Sequence, residues 1–311
     1  MPQARTLQER GPGPSSSQRH VRSYDGAALP EWLLVDGSSM IFRAFYGVPQ
    51  TTRAPDGKLV NAVRGFLDTL ARYVTERKPH RVAVTTDEDW RPDWRVELIP
   101  SYKTHRTAEP VPHDLVPQMP IIMDSLAAVG VDALGLTGYE AEDIIASLVS
   151  KVDPPIEIAS GDRDLFSLIR DREVVVLYPG KDGISYVDEA EVERRYSIPG
   201  GKYADYAILR GDPSDGLPGL AGVGDKKAAD LVRRYGSVGA MLEAGVFRSA
   251  DAEYLKRASK VVAPVSDLKI KVPRGRRPRW PDDPARVEEL GRRYGVASSF
   301  ERLLKALRSM P

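Results

Sequence analysis

The sequence contains no cysteine among its 311 residues. Disulfide bonds and thiolate metal sites are therefore excluded, and this absence is typical of a cytoplasmic protein. No apolar run approaches the ~18 residues that a membrane span requires, so we expect no membrane partner. An excess of one charge is also missing, because the formal net charge is +1. A uniformly basic surface for nucleic acid is thus excluded, whereas a basic rim around an acidic pocket is compatible with the balance.

The distribution of apolar residues divides the chain into three parts. Residues 1–30 are rich in Pro, Gly, Ser and Arg, and we predict a disordered tail there. Residues 31–188 alternate short apolar strands with amphipathic helices, beginning at Trp32. This alternation predicts an α/β fold with a mostly parallel central sheet and helices on both faces. Residues 189–311 have a helical pattern and are predicted to form a second region.

Residues 88–120 interrupt the alternation. The stretch is rich in charge and contains prolines at 92, 100, 110, 112, 117 and 120. We predict an irregular or partly helical excursion rather than core. Long excursions of this kind within a compact domain are usually functional or disordered.

Carboxylates follow three of the predicted strands. Asp36, Asp87 and Asp162 each end an apolar run and begin a loop. Because ligands of an open parallel sheet gather at the carboxyl ends of its strands, we expect these side chains at one edge. Nearby turns and a helix start add further carboxylates, which are Glu140, Glu142, Asp143, Asp164, Asp212 and Asp215.

So many carboxylates in one pocket would repel one another unless cations lay among them. Oxygen ligands without cysteine or a histidine cluster favour Mg²⁺ or Mn²⁺, and two such ions suit phosphodiester hydrolysis. For any single aspartate the alternative is structural, because Asp after a strand often caps a helix and Asp-Pro-Ser-Asp-Gly is a typical turn. The set favours a metal pocket, since independent caps need not share one sheet edge.

Several motifs, taken in order, resemble the bacterial 5′-nuclease family, whose domain is found at the N-terminus of DNA polymerase I. They are VDGSS at 35–39, FRAF at 42–45, YKTHR at 102–106, EAED at 140–143, SGDRD at 160–164 and GDPSD at 211–215. The segment GLAGVGDKKA at 219–228 is similar to the family's helix-three-turn-helix DNA-binding motif. The resemblance covers roughly residues 31–290 and implies a PIN-like 5′-nuclease fold in which the carboxylates named above line the metal pocket.

The same resemblance assigns roles around the pocket. It implies a helical arch at about residues 88–120, through which single-stranded 5′ ends pass. Lys103 and Arg106 would be catalytic, because they would neutralise charge at the scissile phosphate. Tyr102 would stack on a base near the junction, and Arg43 would contact a further phosphate.

The glycine-lysine segment implies a grip on duplex DNA. Gly222 and Gly224 let backbone amides approach a phosphate where a helix begins, and Lys226 and Lys227 add charge without reading bases. In this family such motifs commonly hold a K⁺ ion through backbone carbonyls, which the resemblance carries over. A glycine-rich turn between packed helices is the structural alternative.

Three positions depart from the family's pattern. Glu142 stands where Asp is usual, and its carboxylate is displaced by one methylene. Thr85 and Thr86 end a strand where an aromatic residue is frequent, and Gly216 replaces the usual Asn. Because none of these changes removes a carboxylate, we expect an active enzyme.

The sequence thus predicts a divalent-metal-dependent 5′-3′ exonuclease and 5′-flap endonuclease. Its substrates would be DNA flaps, nicks and 5′ ends in replication and repair, together with RNA primers in hybrids, and its products a 5′-phosphate and a 3′-hydroxyl. We expect a monomer that works beside a separate DNA polymerase and ligase, since no polymerase module follows in these 311 residues.

Three other functions use parts of the same pattern. A structure-specific DNA-binding protein with weakened or lost cleavage is supported by Glu142 alone. An RNase of the related small metal-nuclease group would not need the motif at 219–228. A phosphatase with Asp36 as nucleophile is disfavoured, because Ser38 stands where a second Asp is expected.

Overall fold

The computed structural model describes residues 29–108, 111–180 and 183–311. The disordered tail predicted for residues 1–30 therefore lies outside the described residues, apart from its last two positions. Six strands form one sheet, and their bounds are β1 Trp32–Asp36, β2 Arg81–Thr85, β3 Asp132–Leu134, β4 Ile156–Ala159, β5 Val174–Gly180 and β6 Gly183–Val187. Their order across the sheet is β3-β2-β1-β4-β5-β6.

Helices make up most of the remaining described structure. They are α1 Gly37–Gly47, α2 Asn61–Arg77, α3 Asp93–Leu98, α4 His105–Ala108, α5 Met119–Val129, α6 Ala141–Val149, α7 Glu189–Tyr196, α8 Tyr203–Arg210, α9 Asp225–Tyr235, α10 Val238–Glu243, α11 Ser249–Val262, α12 Pro284–Tyr294 and α13 Ala297–Arg308. Short 3₁₀ helices cover Val116–Gln118 and Asp164–Leu168. Within these described segments, no helix has the length and apolar character needed to cross a bilayer.

The sheet confirms the predicted architecture. Strands β1 to β5 pair in parallel, and helices pack on both faces. The edge strand β6 returns antiparallel to β5, a pairing that the sequence pattern did not predict. Only Val187 of this strand is buried, and the sequence GISYV lacks the continuous apolar run that marks the inner strands.

Alternate residues of β1 feed two separate cores. Trp32 and Leu34 belong to one hydrophobic cluster, and Leu33 and Val35 belong to the other. This is the period of two that places successive strand side chains on opposite faces. Helices α6 to α11 contribute to the first cluster, whereas α1, α2, α5, α12 and α13 contribute to the second.

The predicted helical region at residues 189–311 is divided between these two faces. Helices α7 to α11 stay on one face, but α13 packs against α2 on the opposite face. Arg302 of α13 also bonds to Asp68 of α2 at 2.7 Å. The last two helices therefore complete the core of the α/β part.

The parallel register brings the predicted loops to one edge. Asp36 of β1 pairs with Thr85 of β2, and Val35 pairs with Ala159 of β4. All three strands therefore end at the same level, and the loops that follow them begin side by side.

Candidate active site

A cleft of about 720 Å³ lies at this edge of the sheet. Carboxylates form its floor, and the segment predicted as the arch contributes His105, Arg106, Val111 and Pro112 to one wall. Six of the carboxylates predicted from the sequence line the cleft, and they are Asp36, Asp87, Glu140, Glu142, Asp162 and Asp215. Two others, Asp143 and Asp164, lie behind the floor with 0% and 3% of their surfaces exposed.

Asp36 joins the sheet to the first helix. It ends β1 and caps α1, because its carboxylate accepts a hydrogen bond from the Ser39 amide at 3.0 Å. The Ser160 hydroxyl donates to its other oxygen at 2.5 Å, which links the ends of β1 and β4. Burial, reinforced by the nearby Asp87 carboxylate, raises the pKa of Asp36 to about 7.

Asp87 links the end of β2 to α6. Its amide donates to the Ser38 hydroxyl at 2.8 Å, and its carboxylate accepts from the Ala141 amide at 2.7 Å. Burial and the Glu140 carboxylate raise the pKa of Asp87 to about 6. Both Asp36 and Asp87 thus have backbone or hydroxyl donors that fix their orientation, but no cationic partner among the hydrogen bonds of the described residues.

Glu140 is the point where the cations of the arch segment meet the floor. Its carboxylate accepts from the Tyr102 hydroxyl at 2.6 Å, the Lys103 ammonium at 2.7 Å and the Arg106 guanidinium at 3.3 Å. Arg95 forms a further salt bridge to it. Although burial alone raises the pKa of Glu140, Lys103 and Arg95 hold it below its usual value. Glu140 is therefore a charged, fully partnered carboxylate.

Glu142, Asp162 and Asp164 come closest to an ion-binding arrangement. Each offers a carboxylate oxygen within 4.8 Å of the other two. Burial raises the pKa of both Glu142 and Asp164 well above the usual values, and neighbouring carboxylates add to the shift for Asp164. Because crowded, desolvated oxygens of one charge are stabilised by a hard cation, this set fits a divalent metal ion. The extra methylene of Glu142 does not remove it from the set.

The turn with Asp212 and Asp215 approaches the cleft from the helical side. Asp215 interacts with Asp164, and its carbonyl accepts from the Lys103 amide at 2.9 Å. Gly216 has φ +69°, and a Cβ there would lie 1.9 Å from the Ser101 carbonyl oxygen. Only glycine fits this contact between the turn and the root of the arch segment. Asp212 lies outside the cleft lining and pairs with Arg163 at 3.2 Å.

Asp143 is engaged in protein contacts on all sides. It caps its own helix by accepting from the Glu140 amide at 3.1 Å, and it accepts from the Val265 amide at 2.8 Å. Its third partner is Arg95, at 2.7 Å. The sequence resemblance predicts a metal ligand here, and the geometry shows a fully buried acceptor already in use.

Tyr102 differs from its predicted surroundings. Its side chain is 2% exposed and its hydroxyl donates to Glu140. The ring is therefore covered, and the stacking role predicted for it requires an arch conformation other than this one. Exposed aromatic surface lies instead at the mouth of the cleft, where Phe42 and Trp90 meet edge to face at 4.7 Å and Tyr46 is 70% exposed.

The other predicted DNA contacts do not line the cleft. Gly224 precedes α9 without a side-chain cap, Gly222 has φ +73°, and Lys226 and Lys227 are exposed in the first turn. Among the described residues, no side chain accepts a hydrogen bond from the cap position of this helix. Arg43 is exposed on α1 and donates to the Gly180 carbonyl at 3.2 Å.

The sequence reasoning missed several residues that shape the site. Ser38 and Ser160 orient Asp87 and Asp36, and Arg95 anchors three carboxylates. The serines lie inside the quoted motifs and were available as signals. Arg95 had no such signal, because its partners are 45 to 48 positions away in the chain.

Asp36→Asn is expected to stabilise the metal-free protein by up to about 4 kcal/mol at pH 8. The folded protein raises the pKa of Asp36 from 3.8 to about 7, so it binds a proton more tightly than the unfolded chain does. The free energy of unfolding of the metal-free protein therefore falls as the pH rises from about 3.8 to about 7. Above about pH 7 the ionised Asp36 destabilises the folded protein by the full amount. Asparagine removes the charge and keeps the helix cap.

Urea unfolding in EDTA at pH 5 and pH 8 measures this effect. The fall in stability between the two pH values should be smaller for Asp36→Asn than for wild type, and Asp171→Asn, an exposed carboxylate outside the cleft, should resemble wild type. An equal fall in wild type and Asp36→Asn would contradict the prediction.

Comparison with known proteins identifies the family. The model for the N-terminal resolvase-like domain of 5′-3′ exonucleases matches residues 31–197, and the model for their C-terminal SAM fold matches residues 198–269. A 5′-3′ exonuclease of Mycobacterium tuberculosis is 43% identical over 312 residues, covering 90% of this chain and 98% of that protein. DNA polymerase I of Mycobacterium bovis is 37% identical over 224 residues, covering 70% of this chain and 24% of that protein.

The fold has a solved counterpart. The flap endonuclease of bacteriophage T5, crystallised as a complex with DNA and metal ions, superimposes with a TM-score of 0.61 at 16% identity, covering 90% of this chain and 98% of that one. At that identity the match supports the fold alone. The family models and the full-length relative confirm the resemblance predicted from the motifs, and this chain belongs to the 5′-3′ exonuclease family.

Proposed function

We propose that this 5′-3′ exonuclease hydrolyses DNA phosphodiesters at 5′ ends, nicks and 5′-flap junctions with the help of divalent metal ions. One observation carries the proposal. Glu142 and Asp162 line a cleft that Lys103 and Arg106 also line, and the buried Asp164 offers a carboxylate oxygen within 4.8 Å of both. A phosphate bound in the cleft would be attracted by metal ions that the carboxylates hold and by the two protein cations. Phosphoryl transfer requires such positive charge around the phosphate.

Metal ions of the Mg²⁺ or Mn²⁺ type fit the oxygen-only donor set. Glu142, Asp162 and Asp164 would hold one ion, and Asp36 and Asp87, which lack cationic hydrogen-bond partners among the described residues, would hold a second. When bound, two such ions lower the pKa of an attacking water and stabilise charge on the attacking and leaving oxygens. Asp215, whose side chain contacts Asp164, would orient that ligand.

The protein's own cations would act on the phosphate. Lys103 is 2% exposed, so its charge is desolvated and strongly felt at the scissile group. Arg106 reaches the same carboxylate from the surface, with its side chain 30% exposed. In the structure both are paired with Glu140, and a phosphate would compete for them when DNA enters. The position of Lys103 and Arg106 in the cleft lining supports a role for both in neutralising charge on the phosphate.

Aromatic residues at the cleft mouth would receive the unpaired base next to the junction. Tyr46→Ala is expected to weaken binding of a flap substrate by about 10-fold, because one stacked base contributes about 1–3 kcal/mol. Binding is measured by fluorescence anisotropy in Ca²⁺ with flap and blunt duplexes. Tyr46→Phe keeps the ring and should bind as wild type does. An equal loss on both duplexes would assign Tyr46 to general binding.

The turn before α9 would grip the duplex side of the substrate. The uncapped amides near Gly222 and Gly224, the positive end of the helix, and the exposed Lys226 and Lys227 support contact with phosphates irrespective of sequence. We include in the proposal a K⁺ ion held by backbone carbonyls of this turn.

Lys226→Ala and Lys227→Ala are each expected to reduce the slope of log Kd against log salt by about 1. The single-turnover rate at saturating enzyme should stay within about threefold of wild type, since neither side chain lines the cleft. Lys58→Ala, which removes a surface lysine paired with Asp56 at 2.9 Å, is the control. An unchanged salt slope in both variants would exclude these lysines as phosphate contacts.

The experiment that tests the proposed function is cleavage of a 5′-labelled flap duplex in Mg²⁺, Mn²⁺ or EDTA. Cutting near the junction, dependent on metal, is the expected result, with a 5′-phosphate and a 3′-hydroxyl as products. Tight binding without cutting in either metal would favour a DNA-binding protein on the same scaffold. A matched hybrid with an RNA 5′ strand decides whether primers are also removed.

The remaining parts of the proposal concern partners. A 5′-nuclease that leaves ligatable ends would act beside a separate DNA polymerase and ligase, as a monomer and in the cytoplasm where its substrate lies. The 43% identical relative, which is named a 5′-3′ exonuclease and is matched over 98% of its length, supports such a separate nuclease.

A further inference from the structure

Arg95 is a buried cation at the meeting point of three segments. It lies on α3, at the foot of the arch segment, and 0% of its surface is exposed. We propose that Arg95 is a positioning residue that sets the orientation of the carboxylates at the start of α6 and holds them in register with the helical DNA-binding side. The inference rests on the proposed function, because Glu142, one of the three carboxylates that Arg95 contacts, is assigned there to the metal pocket.

The guanidinium uses its donors on separate groups. Its Nη2 donates to Asp143 Oδ1 at 2.7 Å and lies 3.3 Å from Glu142 Oε1. Its Nη1 bonds to Glu140 Oε2, and its Nε donates to the Val261 carbonyl at 3.1 Å. A planar fork with five donors can hold several acceptors at fixed angles, and an ammonium cannot.

Aromatic rings hold the fork in place. The guanidinium carbon lies 4.7 Å from the Trp94 ring centroid and 5.7 Å from the Tyr102 ring centroid. These rings and the complete burial of Arg95 restrict its rotamer, so packing fixes the directions of its hydrogen bonds. Such fixed outer partners determine where ligand oxygens point in metal sites.

Asp143 extends the connection to the helical side. The oxygen that accepts from Arg95 also accepts from the Val265 amide at 2.8 Å, just beyond α11. Val261 lies in α11, α11 packs against α8, and α8 packs against α9. The bonds of Arg95 to Val261 and Asp143 therefore connect α6 to the region proposed to grip duplex DNA. Arg95 and Asp143 thus form a direct physical link between the metal pocket and the helices that carry the duplex grip.

Arg95→Lys separates positioning from charge, because lysine keeps the positive charge and loses the fork. Without DNA, Mn²⁺ binding measured by calorimetry should weaken about 10- to 100-fold relative to wild type. The turnover number on a flap duplex should fall by a similar factor, with KM within about threefold of wild type. Simple electrostatics would predict no change, since the net charge is conserved.

Arg77→Lys is the matched control. Arg77 also makes a two-point pair, to Glu157 at 2.9 and 2.6 Å, but neither residue lines the cleft. Its Mn²⁺ affinity and turnover number should match those of wild type. If Arg95→Lys bound Mn²⁺ and cut DNA as Arg77→Lys does, the positioning role would be overturned.

A second variant covers the case in which Arg95→Lys folds poorly. Arg95→Met combined with Asp143→Asn removes both buried charges and keeps an acceptor for the Val265 amide, so the melting temperature should return towards that of wild type. Mn²⁺ affinity should remain low, and its recovery together with stability would show a purely structural role. Wild type that binds Mn²⁺ but does not cut would contradict the proposed function, while the Mn²⁺ titrations would still decide the role of Arg95.

Discussion

Asp162→Asn is expected to lower the rate of flap cleavage by roughly 10³-fold or more while leaving the protein folded. Asp162 is the most accessible member of the carboxylate group with Glu142 and Asp164, and it lines the cleft directly. Replacing one charged oxygen ligand by a neutral amide removes several kcal/mol of metal and transition-state stabilisation. In the wild type the Asp164 amide donates to the Asp162 carboxylate at 2.9 Å. The backbone turn should persist in the variant, because the asparagine oxygen can accept the same hydrogen bond.

Single-turnover cleavage of the 5′-labelled flap duplex in Mg²⁺ and in Mn²⁺ measures the loss. Circular dichroism and thermal melting in EDTA check the fold, and we expect the variant to melt no lower than wild type, because one of the repelling charges is gone. Asp171→Asn, a carboxylate outside the cleft, should cut normally. A variant Asp162→Asn that cut within about tenfold of wild type would remove Asp162 from the metal pocket.

Lys103→Met is expected to slow the chemical step by about 10²- to 10³-fold, the range seen when one fixed donor to a developing negative charge is lost. The Lys103 ammonium is buried, 2.7 Å from Glu140 and 3.8 Å from Asp215, so these carboxylates hold it in place at the cleft. Methionine keeps the length and apolar character of the stem. Glu140 retains Arg95 and Tyr102 as partners, so the fold should survive.

The rate is measured at saturating enzyme, and DNA affinity is measured separately in Ca²⁺. A slow single-turnover rate with a Kd within about fivefold of wild type would identify Lys103 as catalytic. Lys58→Met, at a surface ion pair, serves as the control. If affinity fell and the rate at saturation did not, Lys103 would be a binding residue only.

The strand ends were the most predictable part of the site. Asp36, Asp87 and Asp162 follow buried apolar runs, and the parallel register of β1, β2 and β4 brings those ends together without further information. The same physics gave the central sheet, because alternating strands and helices leave few other ways to bury both faces. Contacts between residues close in sequence, such as the cap of α1 by Asp36, could also be predicted from the sequence.

Contacts between distant segments were not predictable from the pattern. The burial of Tyr102 depends on Glu140, and the pairing of Arg95 with Val261 spans 166 positions. The spacing of apolar residues, every two in a strand or every 3.6 in a helix, indicates which face of an element is apolar. It does not indicate which other element covers that face. For the same reason α12 and α13 were grouped with the helical region, although their apolar faces complete the core of α2.

The packing of α13 on α2 has a consequence for the order in which the protein can mature on a ribosome. Helix α2 ends at Arg77, and its partner α13 ends at Arg308. At a translation rate of roughly 5–20 residues per second, α13 is synthesised roughly ten to fifty seconds after α2. The part of α2 that α13 covers stays exposed during that time. Even the cleft residue Asp215 is synthesised before α13, so the core around α2 closes after the last cleft residue has emerged. The nuclease therefore cannot complete the packing of α2 until the residues of α13, up to Arg308, have been synthesised.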